Sequence, residues 1–221
     1  MDSPLTEEAT RVVFQLADLR GLWTVFTEPI SLQEVSLPNL AILDIEYYRG
    51  HGWLRQFRGT TFSKLTEVTF HAECQQVGDF LEAFEHFALA TSASAVLSHF
   101  RFRASLAWNP SYSSLLAFKQ LKELNLEFSC HDGCSSFIDE KTLVTLAQAM
   151  PKLEILKLGK APCEVLGFVT IHGLVALAHH CRGVSRLCVH FRTNTHFQWI
   201  SVLSKIVPFL SLHSSITDTA S

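Results

Sequence analysis

The chain has 221 residues, 48% hydrophobic and 18% charged: room for one large domain, or two small ones, with a sizeable core, and too apolar for intrinsic disorder over most of its length. A net charge of −3 argues against a protein built to cover a phosphate backbone. Leucine accounts for 31 residues, about one in seven, and that excess is the feature to explain.

Residues 3–18 read as one N-terminal helix, and residues 1–18 as a segment of their own. Asp2, Glu7 and Glu8 stand where a signal or transit peptide carries bases. No apolar run approaches the ~18–20 residues of a membrane helix. The six cysteines are scattered among apolar neighbours, the pattern of reduced thiols. The expectation is an intracellular protein, cytoplasmic or nuclear, with no membrane partner.

From Leu40 onward the pattern apolar-x-x-apolar-x-apolar recurs. It occurs at Leu40/Leu43/Ile45, Leu65/Val68/Phe70, Leu97/Phe100/Phe102, Leu121/Leu124/Leu126, Leu153/Leu156/Leu158 and Val184/Leu187/Val189. Successive hexads start 25, 32, 24, 32 and 31 residues apart. Leu19/Leu22 opens a possible earlier unit whose third position is Thr24.

The longer intervals have room for a helix. Phe80, Ala83, Phe84 and Phe87 form an apolar stripe within 78–90. Leu143, Leu146, Ala147 and Met150 form another, repeated 31 residues later by Leu174, Leu177, Ala178 and Cys181. Asp139 and Thr170 are the expected N-caps, with Pro151 and Gly183 at the stops. In the shorter units, 53–57 and 115–118 are expected to turn within one helical turn or an irregular stretch.

Alternating strands and helices at these intervals predict an α/β fold: a curved solenoid with parallel strands on its concave face and helices or irregular turns on the convex one. No unit buries its own apolar face, so stability comes from stacking. The solenoid is assigned to residues 19–200. Residues 201–221 are assigned to a C-terminal segment, of which 211–221 carries no hexad and is expected to be disordered, and neither terminus reads as a polar cap.

Residues 121–191 resemble the leucine-rich repeats of F-box proteins, and the chain as a whole is similar to the repeat region of fungal F-box domain proteins. The resemblance is carried by Leu121-Lys122-Glu123-Leu124-Asn125-Leu126, by Met150-Pro151-Lys152-Leu153-Glu154-Ile155-Leu156-Lys157-Leu158, and by Gly173-Leu174-Val175-Ala176-Leu177-Ala178-His179-His180-Cys181. Arg182-Gly183 stands where the family continues with proline, and Met150 where it has the helix-ending cysteine. The resemblance implies a leucine-rich-repeat solenoid that recognises the substrate of a cullin-type (SCF) ubiquitin ligase, a role with no catalysis and no cofactor. The Skp adaptor would be a partner only through an F-box, and the residues before Leu40 do not read as one. The alternative expectation is a truncated structural remnant with no ligase-linked activity.

Residues alternating with the core positions face the groove of such a solenoid. Three rows result: Ile42, Glu67, His99, Glu123, Ile155, Arg186; Asp44, Thr69, Arg101, Asn125, Lys157, Cys188; and Glu46, His71, Arg103, Glu127, Gly159, His190. Acidic and basic bands alternate along them, a surface suited to a protein target of complementary charge. The candidate binding residues are His99, Arg101, Arg103, Glu123, Asn125, Glu127, Lys157, Arg186 and His190, with Trp108 in a rim loop.

Other motifs give no site. Cys130-His131-Asp132-Gly133-Cys134 has no second ligand pair at zinc spacing, and Gly50-His51-Gly52 lacks the third glycine of a dinucleotide fingerprint. Neither a metal nor an enzymatic activity is expected. Trp23, Trp53, Trp108 and Trp199, with 17 phenylalanines, are expected to fill an irregular core rather than stack on bases, so no nucleic-acid partner is expected.

Overall fold

Eight strands form one sheet in chain order: β1 (Gly21–Phe26), β2 (Ile42–Tyr47), β3 (Glu67–Ala72), β4 (His99–Ala104), β5 (Glu123–Phe128), β6 (Ile155–Leu158), β7 (Arg186–Arg192) and β8 (Phe197–Val202). The first seven are parallel, and β8 is antiparallel to β7. The structure, a computed structural model, describes residues 7–26, 37–47, 62–72, 87, 96–104, 112–128, 139–159, 169–192 and 197–202. The fold is α/β, an open parallel sheet with few helices.

The register follows from the hexads. In β2–β7 the second and fourth residues of each strand are the hexad's last two apolar positions, and the first hexad residue lies two places before the strand. All eighteen hexad residues are at most 5% exposed. Burying a leucine contributes about 1.5–3 kcal/mol, so the sheet is held chiefly from this one face.

One hydrogen-bond arrangement recurs at every parallel junction. The carbonyl just before a strand accepts two backbone N–H groups from the approach to the next. Arg20 O takes Ala41 and Ile42; Ala41 O takes Thr66 and Glu67; Thr66 O takes Ser98 and His99. Ser98 O, Lys122 O and Glu154 O continue the series into β5, β6 and β7. Strand entries are thereby locked to one another, which fixes the register across the sheet.

Helices lie on the leucine side. α1 (Glu7–Val13) is shorter than the helix expected over 3–18: Gln15 and Leu16 bond back three residues, and Phe14 turns into the core. A 3-10 helix, Tyr112–Ala117, makes the tight turn expected near 115–118. α2 (Glu140–Ala149) begins at Asp139, whose carboxylate accepts from Thr142 N at 2.7 Å. α3 (Ile171–His180) begins at Thr170, whose hydroxyl accepts from His172 N at 3.2 Å and also bonds Glu140 on α2.

At the far end of this helix pair the Cys181 thiol donates to the carbonyls of Ala147 and Met150, at 3.4 and 3.3 Å. α2 and α3 are thus tied at both ends, with Leu143, Leu146, Ala147 and Leu177 buried between them and the sheet. In the longer interval before β4 the core is aromatic. Phe70 meets Phe87 edge-on at 5.1 Å, and Phe62 and Phe100 pack close by. Of the stripe expected over 78–90, Phe87 alone is described, and it is fully buried.

Both ends of the sheet extend beyond the six hexads. The possible early unit opened by Leu19/Leu22 contributes β1, in register with β2. Thr24 takes the buried position that Ile45, Phe70, Phe102, Leu126, Leu158 and Val189 fill in the other units, and among the described residues its hydroxyl makes no hydrogen bond. At the other end, β8 runs across the boundary drawn at residue 200, so Ser201 and Val202 are strand residues. Four residues separate Arg192 from Phe197, too few for a parallel crossover, so the chain returns antiparallel along β7.

Candidate functional site

The face opposite the leucines carries the first, third and fifth residues of each strand. Cα pairing places Ile42, Glu67, His99, Glu123, Ile155 and Arg186 in one row. A second holds Asp44, Thr69, Arg101, Asn125, Lys157 and Cys188, and Glu46, His71, Arg103 and Glu127 begin the third. His190 lies on the backbone of β7 opposite Trp199 of β8. Trp108, 53–57, Cys130–Cys134 and Gly50–Gly52 lie outside the described residues.

The candidate residues of β4 and β5 form two polar clusters on neighbouring positions of this face. Arg101 donates from Nε to Glu123 Oε1 at 2.8 Å and from a terminal nitrogen to Oε2 at 2.9 Å. Arg103 binds Glu127 Oε2 at 3.0 Å through Nε and at 2.9 Å through a terminal nitrogen. Asn125 Nδ2 donates to the other oxygen of the same carboxylate, Glu127 Oε1, at 3.1 Å. Beside it, the Ser98 hydroxyl and His99 Nδ1 are 2.8 Å apart.

These clusters are more deeply seated than a solvated strand surface requires. Glu123 is 6% exposed and Asn125 7%. The hydrogen bonds from Arg101 hold the Glu123 carboxyl below the usual glutamate range, against the burial that would raise it, and the same contact raises the Arg101 guanidinium. For Glu127, burial pushes upward, but Asn125 and Arg103 together leave it lowered. Asn125 Oδ1 is buried with no hydrogen bond among the described residues.

The bands expected from sequence therefore redistribute. The basic band of β4 and the acidic band of β5 neutralise each other in the middle of the face. Acid remains toward β2 and β3, where Asp44, Glu46 and Glu67 are half-buried and Asp44 lies 3.8 Å from the His71 ring. Burial raises the Asp44 carboxyl, partly offset by His71. Base remains toward β6 and β7, with Lys157 half-buried and Arg186 exposed.

Arg101 serves the fold as well as the surface, so charge reversal there does not test binding cleanly. Arg103 also holds a carboxylate, but its partner Glu127 is less deeply buried than Glu123, so Arg103 and Lys157 are cleaner handles.

Sequence reasoning placed Trp23 in the core, and the structure corrects this. Leu22 and Thr24 face inward in β1, so Trp23 must face outward, where it is 65% exposed. The signal was present in the early unit: Trp23 occupies the position of Asp44 and Arg101 in theirs. Its ring lies back over Gly21, where an added Cβ would come within 2.7 Å of the indole edge.

His179 and His180 end α3 near its carbonyl terminus, with their rings edge-to-face at 4.9 Å. Among the described residues no three His, Cys, Asp or Glu side chains converge as a metal-ligand set, and no helix is long and apolar enough to cross a membrane. Compared with models of protein families and with curated proteins, the chain matches none.

Proposed function

We propose that the chain is a non-catalytic protein-interaction module that holds a protein target on the open face of its sheet. In this reading the sheet and helices are a curved leucine-rich-repeat solenoid, and the open face is its concave wall. The module would act as the substrate-recognition repeats of an F-box subunit do in an SCF ubiquitin ligase, with the Skp adaptor engaged only through an F-box.

The observation that carries the reading is Asn125. A buried acceptor left without a hydrogen bond costs on the order of 1–3 kcal/mol. Asn125 bonds Glu127, which Arg103 holds in turn, and it stands in register with Arg101, which is fixed by Glu123. Pre-ordered polar groups on a rigid sheet lower the entropy lost on binding, the usual advantage of a solenoid surface.

The test is affinity capture by the immobilised chain, comparing the wild type with Lys157→Glu and Arg103→Glu on the open face and Lys141→Glu on α2. A target retained by the wild type and by Lys141→Glu, and reduced at least fivefold by each open-face change, supports the reading. Retention unaffected by the open-face changes refutes it.

A further inference from the structure

The β1–β3 end of the open face differs in chemistry from the rest. The strand sequences Gly21–Phe26, Ile42–Tyr47 and Glu67–Ala72 contain Asp44, Glu46 and Glu67 but no lysine or arginine. Trp23 pairs with Asp44 across the β1–β2 junction, and Gly21 pairs with Ile42, with the strands about 4.8 Å apart. The indole lies over Gly21 because that residue has no side chain, leaving the ring broadly open to solvent. Half-buried Ile42 continues the apolar shelf, and the carboxylates of Asp44 and Glu67 border it.

We propose that this shelf receives an arginine side chain of the protein target, its guanidinium stacked on the Trp23 indole and hydrogen-bonded to the Asp44 carboxylate. The inference rests on the open face being the binding surface and names the chemistry of the occupant at this end.

Three features select it. An indole is the aromatic side chain best suited to a cation over its face, and a planar guanidinium stacks on it while presenting a fork to a carboxylate. The neighbouring Arg101 acts on Asp44 and Glu67 only through its charge, while its hydrogen bonds from Nε and a terminal nitrogen go to Glu123. His71 stands 3.8 Å from Asp44 at the edge of the shelf and leaves the side toward Trp23 unobstructed by any lysine or arginine of β1–β3. Gly21 is then a positioning residue: a side chain there displaces the far end of the ring without touching the guanidinium.

The experiment is an NMR titration of the full chain, following the Trp23 indole N–H, assigned by its loss in Trp23→Phe. The probes are the peptides (Gly-Arg)6, (Gly-Lys)6 and (Gly-Glu)6. The proposal expects (Gly-Arg)6 to shift this resonance saturably and more tightly than (Gly-Lys)6, with no effect of (Gly-Glu)6. Asp44→Asn and Gly21→Ala should each weaken (Gly-Arg)6 at least fivefold while the dispersion of the other amide resonances is kept.

A Trp23 resonance that does not move, equal binding of the lysine peptide, or undiminished affinity in Asp44→Asn would overturn it. A target whose capture is lost in Lys157→Glu but unaffected by Trp23→Ala would overturn this inference and leave the open-face reading standing.

Discussion

Arg101 on β4 grips Glu123 on β5 with two nitrogens, at 2.8 and 2.9 Å, although the two residues are not register partners. Arg101 stands opposite Asn125, and Glu123 opposite His99. The contact is a diagonal brace between neighbouring strands, and it covers a carboxylate that is nearly removed from water. Removing one partner of such a pair costs more than removing both, because the survivor is left desolvated. Arg101→Ala should lower unfolding stability by about 1–3 kcal/mol, and adding Glu123→Leu should recover part of the loss. Urea denaturation of the two single variants and the double variant checks this. Additive losses would show that the brace has no net coupling.

The same brace sets an acid limit. Glu123, Glu127 and Asp139 all have carboxyls lowered in the folded chain, so the stability they contribute is full above the ordinary carboxylate pKa and lost as pH falls through their folded values. Unfolding free energy should therefore decline below about pH 4.5, more gently in Glu123→Gln. Asp44 has the opposite sign. Its carboxyl is raised by burial, so its ionisation opposes folding once pH exceeds the unfolded value, and Asp44→Asn should stabilise the chain at pH 7. Denaturation midpoints measured from pH 3 to 8 give both signs.

Both helix starts depend on one side-chain oxygen each. Asp139→Ala removes the acceptor for Thr142 N, and Thr170→Ala removes that for His172 N together with the link to Glu140. Each should cost about 0.5–2 kcal/mol, with Thr170→Ala the larger because two contacts go at once. Thermal unfolding of the two variants, followed by circular dichroism, gives the order.

The Cys181 thiol should resist alkylation in the folded chain. It is buried, its proton bridges to the carbonyls of Ala147 and Met150, and burial pushes it up to about 11. At pH 7.5 the thiolate fraction is then on the order of 10⁻³ or less, before access is counted. Labelling with iodoacetamide, mapped by mass spectrometry, should reach Cys181 only as the protein unfolds. Rapid labelling under native conditions would contradict this packing.

Much of the fold was legible because two backbone periods speak plainly in this chain. All eighteen hexad residues are buried, and the rows drawn from their spacing are the rows that pair, because alternation along a strand leaves no freedom about which face a residue takes. The capping oxygens of Asp139 and Thr170 were legible for a similar local reason.

Side-chain reach was not. Spacing makes Arg101 and Asn125 neighbours, but the fork geometry of a guanidinium directs it diagonally to Glu123, turning two expected charge bands into neutral pairs. Trp23 was misplaced by residue type: a tryptophan suggests core, whereas the inward positions of β1 belonged to Leu22 and Thr24. β8 fits the apolar pattern at Phe197/Ile200/Val202, but that pattern does not tell a parallel strand from an antiparallel one; the short link after Arg192 was the signal for its direction.

Site-directed photo-crosslinking tests the open-face reading most directly. Benzoylphenylalanine placed at Thr69, on the central row of β3, is compared with the same group at Val175, exposed on α3. Irradiation in cell extract should yield a discrete protein adduct from position 69, abolished by Lys157→Glu, and none from position 175. Adducts from position 175 alone, or identical adducts from both, would contradict binding through the open face of the sheet.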